Sequence, residues 1–194
     1  MLYVILDSSA TYLTVGLADS DHLIDYVSYP AWQCQSEKMI PELKTLLENN
    51  HLSQKEISAV IVGIGPGSYT GIRIALTTAK ILSLSLNIPL YPVSSLQILK
   101  EGDKPTICLM NARSGRSYFA VYQGHKVIEP DQTMTNDKVK EYISAHPDYI
   151  VKGELGYLEM NDNVGNIARE AFSLIPYLEK ADEPLAVKPI YMKG

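Results

Sequence analysis

Strand patterns occur three in a row in each half of this chain, and a helical pattern follows each group. Leu13, Val15 and Leu17 alternate with smaller residues, as in a half-buried strand, and the apolar segments on either side have strand length. Consecutive strands with short turns pair antiparallel, because parallel neighbours need a crossover of about a dozen residues or more. This feature disfavours an open sheet of the Rossmann type, which stays the alternative fold.

The element order that these patterns predict is β-β-β-α-β-α in both halves. In the first half we expect strands at residues 2–6, 13–17, 22–29, 59–62 and 90–93, and helices at 36–49, with Ser36 as N-cap, and at 68–86. In the second half we expect strands at 106–110, 118–123, 126–129 and 149–152, a helix capped by Thr135 or Asn136, a last long helix at 167–178 and an extended tail at 187–192.

Two such halves side by side make an α/β protein of two ribonuclease H-like domains, the architecture of the actin-like ATPases (the ASKHA fold). In that architecture, nucleotide phosphates lie in the cleft between the domains. Residues 102–105 are the predicted boundary, which gives an N-terminal domain at 1–103 and a C-terminal domain at 104–194. The turn after the first strand of each half faces the cleft, and these turns carry Asp7, Ser8, Ser9, Asn111 and Arg113.

The composition excludes several classes of protein. Hydrophobic residues make up 46% and charged residues 20%, as in folded globular proteins. Acids outnumber bases 22 to 17, which argues against a chain that grips a nucleic-acid backbone by itself, but not against a subunit of an assembly that does. Cys34 and Cys108 have no CxxC spacing and are expected to be two thiols rather than a disulfide. With no signal-peptide pattern and no apolar run of membrane length, the expected location is the cytoplasm.

The most specific motif is a glycine loop between a buried strand and a helix, at residues 63–73. Glycines permit a tight turn, and Ser68 or Thr70 can cap the helix, which leaves either an anion site or a simple tight turn. No Gly-Lys-Ser/Thr is present, so the loop is not a Walker A loop. The motif residues are Gly65, Pro66, Gly67, Ser68, Tyr69, Thr70, Gly71 and Arg73.

The sequence GPGSYTGIR, with the Asp-Ser-Ser turn near the start, resembles the TsaB or YeaZ family of bacterial tRNA threonylcarbamoyladenosine biosynthesis proteins. The resemblance covers residues 1–95, resumes at 111–113 and reappears at 189–193. It implies a non-catalytic member of the actin-like, M22 glycoprotease-like superfamily. Such a member pairs with a catalytic threonylcarbamoyltransferase, TsaD, together with a small ATPase, TsaE. It also implies a homodimer when the chain is alone, tRNA met only through the complex, and no membrane association.

The chain departs from the family pattern at several positions. Asn111 stands where the family has Asp, Arg116 lies where a Glu is usual, Gln35 and Ser36 replace a His-Ser pair, and the second domain is shortened. Asp7 is then the one carboxylate expected in the cleft. The histidines show no metal-ligand spacing. We therefore expect no catalytic residue, no metal and no tightly bound cofactor, with ATP or ADP bound by the complex rather than by this subunit.

The helix at 68–86 is apolar on two sides, although a surface helix ordinarily has one apolar face. The outward side is either buried against the helix at 36–49 or is a subunit interface, which the resemblance favours. Its predicted interface residues are Ile74, Thr77, Thr78, Ile81 and Ser85. The expected function is a non-catalytic scaffold or dimerisation subunit in threonylcarbamoyl attachment to N6 of adenosine 37 in tRNAs that read ANN codons. The alternatives are an ATP-dependent small-molecule kinase and, from an old family label alone, a protease.

Overall fold

The computed structural model describes residues 1–192 of the chain, as two β-sheets and four α-helices with short 3-10 turns. The strands are β1 (Leu2–Asp7), β2 (Tyr12–Ala18), β3 (Leu23–Pro30), β4 (Ile57–Gly63), β5 (Leu90–Val93), β6 (Thr106–Arg113), β7 (Arg116–Gln123), β8 (Lys126–Thr135) and β9 (Ile150–Gly153). The helices are α1 (Gln35–Asn49), α2 (Tyr69–Leu86), α3 (Asn136–Ala145) and α4 (Ile167–Leu174).

The two sheets have related topologies. The first has the order β3-β2-β1-β4-β5, with β1 antiparallel to β2 and parallel to β4. The second has the order β8-β7-β6-β9, with β6 antiparallel to β7 and parallel to β9. Each sheet therefore begins with a three-stranded antiparallel meander, and a helix connects this meander to the first parallel strand. The expected pair of ribonuclease H-like domains of the actin-like fold is confirmed.

Helices cover the two sheets unequally. One face of the first sheet packs against α1 and α2, through buried side chains such as Met39, Leu43 and Leu76. The opposite face forms a core with α4 and with Cys108 and Met110 of the second sheet. The last helix of the second half therefore lies on the first sheet, and both halves share one apolar core. The remaining face of the second sheet carries α3, which buries Val139 beside β-strand residues.

Most predicted elements agree with the structure, and the differences have local causes. Ser36 is not the N-cap of α1: Cys34 holds that position, without a side-chain cap. The last helix ends at Leu174 and continues as a 3-10 turn, because Pro176 has no amide hydrogen to continue the helical ladder. Strand β8 extends to Thr135, beyond the predicted end at 129. The domain boundary at 103/104 stays a prediction. In the part of the chain that the structure describes, no helix is long and apolar enough to cross a membrane.

Candidate functional site

The glycine loop packs directly on the turn between β1 and β2. The Ser8 hydroxyl donates to the Gly71 carbonyl oxygen at 2.7 Å, and the Ser68 amide donates to the Ser9 carbonyl oxygen at 2.6 Å. A Cβ added at Gly71 would overlap the Ser8 carbonyl oxygen, and one at Gly67, where φ is +153°, would overlap that of Ser9. Ser68 caps α2, as predicted, through a 3.2 Å bond from the Gly71 amide. These glycines are required because two backbones meet here.

Asp7 lies beneath this contact rather than in an open cleft. Its side chain is 2% exposed. One carboxylate oxygen accepts from the amide and the hydroxyl of Ser9 at 3.1 and 3.0 Å, and the other accepts from the Ser95 hydroxyl at 3.1 Å. Burial raises the pKa of Asp7 to about 6, although the bonds from Ser9 and Ser95 partly oppose this. Asp7 is thus the buried acceptor that joins the β1 turn to the segment after β5.

The C-terminal tail packs on the glycine loop from the other side. The Ile190 amide donates to the Ile64 carbonyl oxygen at 2.7 Å, and the Ile190 carbonyl oxygen lies where a Cβ at Gly65 would otherwise sit. The rings of Tyr191 and Tyr69 stack with their centroids 5.0 Å apart. The two sequence motifs that carry the resemblance are therefore in contact. The motif's last residue, Lys193, lies outside the described residues.

A cavity of about 710 Å³ lies between the turns of the two halves. Of the predicted cleft-turn residues, Ser9, Asn111 and Arg113 line it. Asp7 and Ser8 do not, because the Ser8 hydroxyl bonds to the glycine loop and the Asp7 carboxylate is buried against Ser9 and Ser95. The expectation of Asp7 as a cleft carboxylate is therefore wrong. The cavity is lined by Ser9, Ala10, Thr11, Trp32, Gln33, Gln35, Gly67, Ser68, Tyr69, Thr70, Gly71, Met110, Asn111, Ala112, Arg113, Tyr118 and Glu154.

Glu154 is the carboxylate that sequence analysis missed in this cavity. It follows β9 and reaches across to the first half, where its two oxygens accept from the amide and the hydroxyl of Thr11 at 2.9 and 2.7 Å. Glu154 directly follows Gly153, the last residue of β9, and β9 is parallel to its neighbour β6. This position is the signal that sequence analysis could have used, because residues that follow parallel strands lie at the same edge of the sheet. Within residues 1–192, no group of three His, Cys, Asp or Glu side chains is arranged to hold a metal ion.

The outward side of α2 is only partly as predicted. Thr77, Ile81 and Ser85 are exposed, with Ile81 at 58%, whereas Ile74 packs against the core of the first sheet and is half-buried, as is Thr78. Leu84, which the prediction did not include, is 53% exposed. The exposed set Thr77, Ile81, Leu84 and Ser85 is called the α2 stripe below.

The tail borders the α2 stripe on one side. Lys80 donates to the carbonyl oxygens of Leu185 and Val187 at 2.9 and 2.7 Å, which fastens the tail along α2. A second, smaller cavity of about 440 Å³ lies between this helix and the tail. Within residues 1–192, Ile81 and Leu84 of the α2 stripe stay more than half exposed beside the fastened tail.

Comparisons with known proteins agree with the fold and with the motifs. The family model described as TsaD, tRNA N6-adenosine threonylcarbamoyltransferase, matches residues 31–169, which is more than half of the chain. The tRNA threonylcarbamoyladenosine biosynthesis protein TsaB of Bacillus subtilis is 34% identical over 128 residues, 63% of this chain and 56% of that one. The TsaB protein of Buchnera aphidicola (from Schizaphis graminum) is 31% identical over 146 residues, 71% of this chain and 69% of that one. The match thus spans between about half and two thirds of these relatives.

Two solved structures share the fold over nearly the whole chain. One is a Pseudomonas aeruginosa protein described as similar to peptidase YeaZ, with a TM-score of 0.85, 21% identity, and 99% coverage of both chains. The other is YeaZ from Pseudomonas aeruginosa, with a TM-score of 0.82, 21% identity, and coverage of 98% of this chain and 99% of that one. At this identity the likeness bears on the fold alone, but the sequence matches go further: the chain belongs to the family that the TsaD model describes and, within it, to the TsaB or YeaZ proteins.

Proposed function

We propose that this chain is a non-catalytic scaffold subunit of the assembly that forms threonylcarbamoyladenosine in tRNA, at N6 of adenosine 37 in tRNAs that read ANN codons. The relatives that bear the TsaB name are described as tRNA threonylcarbamoyladenosine biosynthesis proteins, which supports a role in that modification. The observation that carries the scaffold role is the α2 stripe: Ile81 and Leu84 expose more than half of their surface on a helix with few charges. Apolar side chains in one exposed stripe are typical of an interaction site.

The packing of the glycine loop supports the absence of phosphoryl chemistry. In an actin-like kinase the phosphates lie between the turns of the two domains. Here the loop backbone at Gly67 and Gly71 packs against the carbonyl oxygens of Ser9 and Ser8, so no phosphate can enter between the loop and the β1–β2 turn. The Asp7 carboxylate already accepts three hydrogen bonds and faces away from the cavity. This part of the cleft serves packing.

The proposed partners follow from the stripe and from the family. The catalytic threonylcarbamoyltransferase subunit, TsaD, covers the α2 stripe in the complex, and a second copy of the chain covers it when the chain is alone. The small ATPase, TsaE, and tRNA join through the complex, and the assembly works in the cytoplasm, where tRNA is used. A stable interface buries about 800 Å² per partner, so exposed residues beyond the four of the α2 stripe take part in the proposed interface.

Two measurements test this proposal. The full chain, mixed with the catalytic subunit, should elute with it in size-exclusion chromatography, and omission of the chain from a reconstituted reaction should abolish threonylcarbamoyl transfer to tRNA. Calorimetry of the isolated chain with ATP and Mg²⁺ should show no tight binding. A dissociation constant below ~10 μM, roughly −7 kcal/mol, would favour the small-molecule kinase instead.

A further inference from the structure

Two of the four arginines of this acidic chain lie on the hairpin that borders the cavity between the two turns. The chain has four, Arg73, Arg113, Arg116 and Arg169. Arg113 lines the cavity, Arg116 stands opposite it on the same hairpin, and Arg73 donates to the hydroxyl of Tyr69, a lining residue, at 2.7 Å. Arg73 itself lines the second cavity, between α2 and the tail, and Arg169 lies on α4. Within residues 1–192, none of the four forms an ion pair. Arg113 and its hairpin neighbour Arg116 are thus available to an anion from outside.

Exposed aromatic rings lie on the same rim. Trp32 is the only tryptophan of the chain, lines the cavity and is 51% exposed. Tyr69 also lines it and is 58% exposed. One side of the Tyr69 ring is occupied by Tyr191, and the Arg73 guanidinium lies 5.2 Å from its centroid. Tyr191 and the Arg73 guanidinium therefore both pack on the Tyr69 ring, which leaves the half-exposed Trp32 as the ring for stacking.

The combination of rings, arginine and amides narrows the class of ligand. Aromatic rings stack on any nucleobase, arginine binds phosphate, and side-chain amides bond to base edges, which is how proteins bind unpaired RNA. Asn111 and Gln33 supply amides on the cavity wall. A volume of about 710 Å³ lies within the range of small-ligand sites. A base inside a duplex is excluded as the ligand, because it is already stacked and paired and cannot stack on a side chain of the cavity.

We propose that this cavity binds one unpaired nucleotide of RNA, with its base stacked on Trp32 and its phosphate on Arg113. The proposal rests on the proposed function, in which the RNA is the tRNA brought by the complex. The contact is weak in isolation, because Arg113 is the only cation among residues 1–192 that lines the cavity, and Glu154 adds a negative charge nearby. This agrees with a net charge of −5, which disfavours independent binding of tRNA.

The single tryptophan provides a direct assay. A seven-nucleotide single-stranded RNA that contains adenine should quench Trp32 fluorescence in the full chain to saturation, and the same RNA in a duplex should not. AMP and ATP, as free nucleotides, and an acidic heptapeptide of equal charge are the comparison probes. The logarithm of the association constant should fall with the logarithm of salt at a slope near −0.7, because about one phosphate is contacted.

Substitutions then locate the contact. Arg113→Gln should lower the affinity for RNA by about 5- to 100-fold and flatten its salt dependence. Arg169→Gln, which removes an exposed arginine elsewhere, should leave the affinity unchanged. By anisotropy of labelled RNA, Trp32→Ala should weaken binding over the same range, and Tyr26→Ala, an exposed aromatic on β3, should not. Far-UV circular dichroism and urea midpoints confirm that each variant is folded.

Several outcomes would overturn the proposal. These are no quenching at ~1 mM RNA, equal losses in the control variants, tighter binding of AMP or ATP than of RNA, or equal quenching by the acidic peptide. If RNA fails to bind while the chain still elutes with the catalytic subunit, this inference fails and the scaffold function stands. If RNA binds but the chain neither elutes with that subunit nor supports transfer, the scaffold function fails.

Discussion

Gly71→Ala reverses an ordinary rule of helix stability. Gly71 lies in the first turn of α2, and alanine in place of glycine in a helix usually stabilises it by about 0.5–1 kcal/mol. Here the added Cβ would overlap the carbonyl oxygen of Ser8, which is a backbone atom and cannot rotate away. If the two backbones move apart to make room for the Cβ, the 2.7 Å hydrogen bond from the Ser8 hydroxyl to the Gly71 carbonyl oxygen breaks.

The expected loss follows from these two contacts. Overpacking of a buried site costs about 1–3 kcal/mol, and loss of a buried hydrogen bond costs about 1 kcal/mol more. The gain in helix propensity offsets up to about 1 kcal/mol. We therefore expect the free energy of unfolding to fall by about 1–3 kcal/mol.

Urea unfolding, followed by circular dichroism, measures this change from the midpoint and the slope. The matched control is Gly156→Ala, because Gly156 has no positive φ and only one atom, at 3.9 Å, near the added Cβ. That variant should stay within about 0.5 kcal/mol of the original chain. An unchanged or higher midpoint for Gly71→Ala would refute the contact between the glycine loop and the β1–β2 turn.

Two further predictions concern the carboxylates. Burial raises the pKa of Asp7 to about 6, from 3.8, so between pH 4 and 6 the folded chain holds a proton that the unfolded chain has lost. The free energy of unfolding should therefore fall by about 3 kcal/mol as the pH rises through that range. Asp7→Asn should remove this decrease, as urea midpoints taken from pH 4 to 7 would show. If the difference in midpoint between the original chain and the variant is the same at every pH, the burial of Asp7 is contradicted. Glu154→Ala should lower the free energy of unfolding by about 1–2 kcal/mol, because both hydrogen bonds from Thr11 are lost. Glu179→Ala, at an exposed site, should not lower it. Equal urea midpoints for the two variants would show that the bonds between Thr11 and Glu154 contribute no stability.

The sequence predicts the fold well because its signals are local. Alternation in β2, the helical spacing of α1 and the glycine loop before α2 are each decided by residues close together in the chain. Helix ends are harder to place: Cys34 rather than Ser36 is the N-cap of α1, and it makes no side-chain cap hydrogen bond that a sequence pattern could signal.

The candidate site was only half predictable, because its remaining parts come from distant segments. No local pattern says that Tyr191 stacks on Tyr69, that Glu154 reaches Thr11, or that α4 crosses to the first sheet. The prediction of Asp7 as a cleft residue failed for the same reason. Its hydrogen bonds come partly from Ser95, 88 residues away in the chain, and they turn the carboxylate inward.

The most direct test of the scaffold role is a charge placed on the α2 stripe. Ile81→Glu with Leu84→Glu should leave a folded chain, because both side chains are more than half exposed. The variant should remain monomeric, since an unpaired charge at the centre of an interface costs about 3–5 kcal/mol. It should neither elute with the catalytic subunit nor support threonylcarbamoyl transfer.

The matched control is Val127→Glu with Ile128→Glu, which charges two exposed apolar residues of β8 and should assemble normally. The measurement is size-exclusion chromatography with the catalytic subunit, read together with threonylcarbamoyladenosine in the product tRNA. We predict that the stripe variant loses both while the β8 variant keeps both. Normal assembly by a folded stripe variant would contradict the account.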